Sequence, residues 1–337
     1  MSGSGMVLPP PDLPFPVTER YRVVPDMHRL GGELFGRVER GHFQIDDALE
    51  HYLERKLAQL EGHAAHCRRL HAGCDEAGLS EALRQVFALL AEEHPELVEI
   101  EQEKVALKAS GLELDPAGNV RTDPDAPLAA LGERAARWLS AQRGVLRLAD
   151  ALALTVQEDF VIMRGEAQTH GAELLHVCFP SHWRPAENAG LGYAQIHAPV
   201  AHNAPLLASA RRVMKALFSK GPFVRYTWGL VTDPRLDHNP ALPDYPENTL
   251  PEEVLKDPAR FGSRVFLRVE RQTTCALPAL QRCLFTIRVS VRPLAEVLST
   301  DERKRRLAAA LRSMDDDLLR YKGLTRLRAP LLAWLEA

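Results

Sequence analysis

Apolar residues recur at three- and four-residue spacing in several parts of the chain, as they do along one face of an amphipathic helix. The clearest example follows Asp46, where Leu53, Leu57 and Leu60 lie on one face. Asp46 is the predicted N-cap, because its carboxylate can accept hydrogen bonds from first-turn amides. Further helices are predicted at 80–91, 127–155, 204–218, 301–319 and 330–336.

After Gln157 the pattern changes to short apolar or alternating runs, which is typical of strands. DFVIMRG and GAELLHVCF predict an antiparallel pair, PFVRYTWGLV predicts a further strand, and SRVFLRVERQT and CLFTIRVSVRP predict two more joined by CALPALQR. Residues 111–126 are predicted to be turns with at most a short hairpin, and 233–261 a long surface loop. The pattern indicates an α+β fold. Residues 1–155 form a mainly helical region and 156–337 a sheet region, with one continuous domain as the alternative.

Composition narrows the classes of function. The 337 residues are 45% apolar and 26% charged, with a formal net charge of −3, which argues against a nucleic-acid-binding surface. No apolar run reaches the roughly 20 residues that span a bilayer. The five cysteines do not resemble a disulfide framework, and the N-terminus lacks the features of a signal peptide. We therefore expect a cytoplasmic protein.

Two groups of histidines carry candidate chemistry. On one continuous helix His63, Cys67 and His71 would stack along one face with Cys74 one turn on, so the group could hold Zn²⁺. A solvated helix end is the favoured alternative. The second group spans residues 170–202. His176 is expected in the core, and Pro199 places His197 at the end of a helix, where an imidazole among apolar groups suits an axial haem ligand.

Arginines lie within the predicted strands, at Arg225, Arg268, Arg271, Arg282, Arg288 and Arg292. Alternation places Arg268 and Glu270 on one face and Arg271 on the other. A buried arginine needs a negative partner, which is either an internal carboxylate or a carboxylate or phosphate of a ligand. Both interpretations remain open. Phosphate-binding loops, a nucleophile elbow and cysteine spacings for an iron–sulfur cluster are not found.

The ordered blocks VQEDFVIM, CFPSHWRPAENAGLGYAQIHAPV, RYTWGL, FLRVERQT, FTIRVSVRPL and RYKG resemble the haem-dependent oxidative N-demethylase alpha-subunit family. The resemblance covers about residues 157–323. It implies a PAS-like antiparallel sheet flanked by helices that binds haem b. It also implies the oxidative removal of a methyl group from a small secondary amine such as dimethylamine, with release of formaldehyde. NADPH, flavin and an iron–sulfur centre would then belong to a separate reductase subunit.

The resemblance also implies roles for particular residues. His197 in IHAPV becomes the candidate ligand of the haem iron, and Arg225, Arg271 and Arg288 become candidate partners of the two propionates. Glu270 is the candidate catalytic residue, since a carboxylate can attract the ammonium form of an amine and accept its proton.

The sequence departs from the family pattern at six positions. His182 stands where glycine is expected, Thr227 where asparagine is expected, and Cys275 and Ala276 where arginines are expected. Ala201 and His202 stand where proline and glycine are expected. These departures affect the expected identity of the substrate more than the expected fold. A haem- or ligand-sensing PAS-like protein is the alternative function, and the absence of an output domain after Gly323 favours the enzyme.

Overall fold

The computed structural model describes residues 6–166 and 169–337, and its architecture is α+β, as the sequence predicts. The helices are α1 Leu49–Cys67, α2 Glu76–Glu93, α3 Ala129–Ala141, α4 Gly144–Ala153, α5 Tyr193–Ile196, α6 Ala204–Ser219, α7 Glu252–Leu255, α8 Phe261–Arg264, α9 Leu294–Val297, α10 Asp301–Ser313, α11 Asp316–Tyr321 and α12 Arg328–Glu336. The strands are β1 His28–Arg29, β2 Glu33–Leu34, β3 Arg37–Val38, β4 Arg68–Leu70, β5 Val98–Glu101, β6 Lys104–Leu107, β7 Leu112–Leu114, β8 Val120–Thr122, β9 Asp159–Glu166, β10 Thr169–His176, β11 Phe223–Val231, β12 Phe266–Leu277 and β13 Arg282–Pro293.

The central element is a seven-stranded antiparallel sheet in the order β1-β11-β12-β13-β9-β10-β4. The strands predicted after Gln157 are all confirmed, including the β9–β10 pair and the β12–β13 hairpin. Register places Gln272 opposite Arg225 and Glu270 opposite Thr227 across β11 and β12. These four residues therefore share one face of the sheet.

Both edge strands of this sheet come from the first 155 residues, since β1 pairs with β11 and β4 pairs with β10. One apolar core also joins helices α1, α2 and α4 to the sheet, through residues such as Leu53, Leu83, Leu152, Phe160 and Leu284. The helical region thus packs on one face of the sheet, and α6 covers the other.

Four local predictions are wrong. Residues 98–122 form a second, four-stranded antiparallel sheet, β5-β6-β7-β8, of which the sequence indicated only the last hairpin. The segment 127–155 is two helices, interrupted at Gln142 and Arg143, and 301–319 likewise divides at Met314 and Asp315. Asp46 is not the N-cap, because α1 begins later; its carboxylate accepts from the Ala48 amide at 3.0 Å.

The histidine–cysteine group does not lie along one helix face. Helix α1 ends at Cys67, and the chain continues as strand β4, so His71 and Cys74 do not extend its face. Among the residues that the structure describes, no three His, Cys, Asp or Glu side chains are placed to hold a metal ion. Within the same residues, no helix combines the length and the apolar character needed to cross a membrane.

Candidate functional site

A cleft lies between helix α6 and the face of the sheet that carries Arg225. The space in it is about 320 Å³ when the part open to solvent is included. Its lining is mostly apolar and aromatic, with a few polar groups: Met27, Tyr193, Val213, Leu217, Phe223, Val224, Arg225, Gln272, Thr274 and Phe285. An apolar cleft with few polar groups is the usual form of a cofactor or small-molecule site.

Arg225 is the charged residue of this cleft. Its Nε atom is buried and has no hydrogen-bond partner among the described residues, nor does any described carboxylate form an ion pair with its side chain. Burial lowers the pKa of Arg225, because the charged form is poorly solvated there. A partly buried cation without a partner is poorly solvated, so the site is suited to an anionic ligand.

Tyr193 lines the cleft from the short helix α5, and His197 lies one turn further on, at the end of that helix. His197 is the residue at which α5 ends, as the sequence predicts, and its Nδ1 lies 2.7 Å from the Tyr193 carbonyl oxygen. The two rings are tilted against each other with centroids 4.1 Å apart. Burial, and to a lesser degree the charge of Arg225, lowers the pKa of His197, so the imidazole is neutral at pH 7. With Nδ1 donating to the carbonyl, Nε2 keeps its lone pair for a metal.

Glu270 lies on the same face as Arg225, one strand further into the sheet. Its carboxylate accepts hydrogen bonds from the Ser181 hydroxyl, from Thr227 Oγ1 at 3.2 Å and from Gln272 Nε2 at 2.7 Å. The Ser181 hydroxyl also accepts from Arg268 Nε at 2.6 Å, so it bridges the carboxylate and the guanidinium. Arg268 and Glu270 therefore share a face, as alternation predicts, and the carboxylate is held in a fixed orientation.

The chain also matches a known protein family. The model of the family described as haem-dependent oxidative N-demethylase, alpha subunit-like, matches residues 38–332. The chain belongs to this family. The description indicates a haem-dependent oxidoreductase, and the term alpha subunit implies a partner subunit.

The residues of the cleft fit the haem that defines the N-demethylase family. Two buried polar atoms at the cleft, Arg225 Nε and the Tyr193 hydroxyl, have no hydrogen-bond partner among the described residues. A propionate would satisfy both kinds of donor, and the apolar and aromatic lining suits a macrocycle. His197 would offer its free imidazole nitrogen to the haem iron.

Arg271 and Arg288 do not join this site, which corrects the prediction of three arginines around one ligand. They lie opposite each other on β12 and β13, on the other face of the sheet. Arg271 Nε binds Glu39 at 2.7 Å and Arg288 Nη2 binds Asp46 at 2.7 Å, and both pairs are buried. Because internal carboxylates match their charges, these arginines are structural. The sequence around a strand arginine does not show whether it binds a ligand or an internal carboxylate, because the carboxylate comes from a distant part of the chain.

The remaining histidines lie elsewhere. His176 is fully buried, bonded through Nε2 to Asp150 at 3.1 Å and stacked on Phe160, so it is the core histidine that the sequence predicts. His182 contacts the Tyr245 hydroxyl at 2.8 Å and the ring of His238, and it does not line the cleft.

Two residues of the cleft, Tyr193 and Gln272, were not recognised in the sequence. Tyr193 had a signal, since it precedes His197 by four residues and thus one helical turn. Gln272 also had a signal, because it lies two residues after Glu270 on the same strand and therefore on the same face of the sheet.

Proposed function

We propose that this chain is the haem-binding catalytic subunit of an oxidative N-demethylase that acts on a small secondary amine, releases formaldehyde and receives electrons from a separate reductase. The observation that carries the proposal is the apolar cleft in which Arg225 has no carboxylate partner among the described residues, with the neutral His197 packed against the lining residue Tyr193. When bound, haem supplies the one-electron and O₂ chemistry.

In this proposal each protein residue has a separate role. His197 Nε2 holds the iron, and the Tyr193 carbonyl orients the ring through Nδ1. Arg225 binds a propionate, which neutralises both charges in the cleft. Glu270, fixed by its three hydrogen-bond donors, attracts the ammonium form of the amine and accepts its proton, which leaves the nitrogen lone pair free for oxidation.

Haem titration of the purified apo-protein, followed by absorption spectroscopy, tests the cofactor. The wild type should give a Soret band at one equivalent, and His197→Ala should abolish or strongly alter it. His182→Ala is the matched control, since this histidine is bonded to Tyr245 outside the cleft. Failure of the wild type to bind haem, or loss of the band in His182→Ala alone, would overturn the assignment.

Arg225→Met tests the propionate contact. Loss of a charge-assisted hydrogen bond, worth about 1.5–3 kcal/mol, should weaken haem affinity by roughly 10- to 100-fold. The apo-protein should melt at the same temperature or higher, because a partly buried cation without a partner is removed. A lower apo melting temperature with unchanged haem affinity would show that Arg225 is structural.

Turnover separates the enzyme from a haem sensor. With a chemical reductant and dimethylamine, the holo-protein should release formaldehyde, and Glu270→Gln should lower kcat/KM without changing the Soret band. A protein that binds haem but gives no formaldehyde with any small secondary amine would instead be a sensor.

A further inference from the structure

The outward side of helix α6 carries only positive charge. Val213 and Leu217 lie on the buried side of the helix, whereas Arg211, Arg212 and Lys215 are exposed. The helix contains no aspartate or glutamate, in a chain whose formal net charge is −3. Soluble proteins usually intersperse both signs over their surface, so this concentration of one sign is a distinct feature.

The three cations have no partner that would explain them structurally. None forms an ion pair with a carboxylate of the described residues. On α10, by contrast, Arg306 pairs with Glu302 one turn away. Arg211 and Lys215 also lie four positions apart, where like charges disfavour a helix. Because these charges do not stabilise the fold, they favour a role in binding a partner.

An exposed apolar residue adjoins the cations. Leu207 lies one turn before Arg211, and 39% of it is exposed. Ala208 beside it is exposed as well. Protein–protein interfaces combine apolar contacts with arginines and a polar rim. We call the surface formed by Leu207, Arg211, Arg212 and Lys215 the α6 outer face, and its composition is that of an interface.

The α6 outer face lies directly over the cleft. Val213 and Leu217, on the inner side of the same helix, line the cleft together with Arg225. A helix with its side chains is about 10–12 Å across, so one helix separates a protein bound outside from the cleft. The family is described as an alpha subunit, which implies a partner subunit. The face is therefore well placed for a partner that delivers electrons to the cleft.

We propose that the α6 outer face is the docking surface for a one-electron donor protein whose own docking face is acidic. The inference rests on the proposed function, because electrons are needed only if haem occupies the cleft. Opposite charges speed the encounter of two proteins and fix their orientation. After docking, the reduced centre of the donor gives up one electron, which the oxidised cofactor takes up, and no covalent bond forms or breaks.

Binding of a fluorescently labelled acidic [2Fe–2S] ferredoxin, measured by fluorescence anisotropy, tests the surface. The full-length protein is used before and after loading with haem. Arg211→Glu combined with Lys215→Glu should lower the affinity at least about tenfold, and raising the ionic strength from about 0.02 M to about 0.2 M should do the same. Leu207→Ser should weaken binding about threefold without changing the salt dependence, because only an apolar contact is lost.

Lys304→Glu combined with Arg305→Glu is the matched control. These two residues of α10 also form no ion pair with a described carboxylate. Helix α10 packs in one apolar cluster with Trp228, on the face of the sheet opposite Arg225. The change in net charge is the same, so a loss below about twofold in this variant shows that the position of the charges matters. All variants should melt at the wild-type temperature.

Reduction of the haem-loaded protein separates docking from the proposed function. Ferredoxin should reduce the α6 double variant at least about tenfold more slowly than the wild type, while dithionite, which needs no docking surface, reduces both alike. A protein that takes up no haem would overturn the proposed function and with it the electron-donor role. Haem that ferredoxin reduces equally fast in the α6 and α10 variants would overturn the docking surface alone.

Three further results would contradict the proposal. The first is equal loss of ferredoxin affinity in the α6 and α10 variants, or no binding by the wild type. The second is a homo-oligomer that dissociates in the α6 variant, seen by sedimentation, since a second copy of the chain would then cover the face. The third is an α6 variant that loses binding only to phosphatidylserine vesicles, since a membrane would then be the partner.

Discussion

The contacts of the Arg271 side chain stabilise the folded protein. Its guanidinium binds Glu39 and donates to the carbonyl oxygens of Gly41 and His42, all within a region closed to water. Arg271→Ala leaves the Glu39 charge buried with fewer partners, and removal of one member of a buried pair costs about 3–5 kcal/mol. We expect that loss in the free energy of unfolding of the apo-protein, measured by urea denaturation.

Arg292→Ala is the control for this prediction. Its pair with Glu296 is 3.7 Å long and 40% of the arginine side chain is exposed, so the effect should stay below about 1 kcal/mol. If Arg271→Ala were as mild as Arg292→Ala, the buried pair with Glu39 would contribute little, and a ligand role for Arg271 would return.

His176 gives stability a dependence on pH. Burial lowers its pKa, but hydrogen bonds to Asp150 and Cys178 raise it overall to about 9. In the unfolded chain the pKa is the ordinary value of about 6.5, so the native state binds the proton more tightly. The resulting stabilisation is complete below about pH 6.5 and is lost as the pH rises toward 9.

Urea unfolding between about pH 6 and about pH 9.5 measures this effect. His176→Gln should flatten the decline in the free energy of unfolding, and part of the slope should remain because the pKa of His42 is raised in the same direction. His51→Gln, at an exposed position, should leave the slope unchanged. An unaltered slope in His176→Gln would show that His176 does not hold its proton more tightly in the native state.

At the scale of elements, helix α3 packs closely against the backbone of Ser110 at one glycine, Gly132. A Cβ added at Gly132 would lie 1.9 Å from the Ser110 carbonyl oxygen, which belongs to the chain that leads into β7. Alanine favours a helix by about 1 kcal/mol over glycine. In Gly132→Ala we expect the clash to exceed that gain, so the melting temperature falls as α3 is pushed from the small sheet.

Gly62 in α1 provides the opposite case. A Cβ at this position meets no atom within 4 Å, so no clash opposes the helix propensity of alanine, although α1 is kinked at the next residue, His63. Gly62→Ala should raise the free energy of unfolding by about 1 kcal/mol. Thermal melting of the two variants side by side checks the contrast, and a fall in both, or a rise in both, would contradict it.

At the scale of the whole molecule, the shared core predicts how the chain unfolds. Leu53, Leu83 and Leu152 from the helical region pack in one cluster with Phe160 and Leu284 of the sheet. We therefore propose that residues 1–155 and 156–337 unfold together. Variants that keep only Trp138 in α3, or only Trp228 in β11, should show one urea midpoint by fluorescence. Two separate midpoints would mean two domains.

Much of the sheet was predictable because its signals are local. Alternation over eight to twelve residues identifies β9 to β13 and assigns Arg268 and Glu270 to one face and Arg271 to the other. His197 at a helix end follows from Pro199 in the same way. Strands β5 and β6 were missed because they are only four residues long, too short for a pattern to establish itself.

The sequence by itself determined the α+β class, the strands after Gln157 and the position of the candidate ligand His197. Only the tertiary structure decided which arginines are free to bind a ligand. Arg271 meets Glu39 and Arg288 meets Asp46 across more than 200 positions of the chain, whereas Arg225 meets no carboxylate among the described residues. A window of sequence specifies the side of a strand on which a charge lies. It does not specify its partner, because the partner is brought there by chain packing over long distances in sequence.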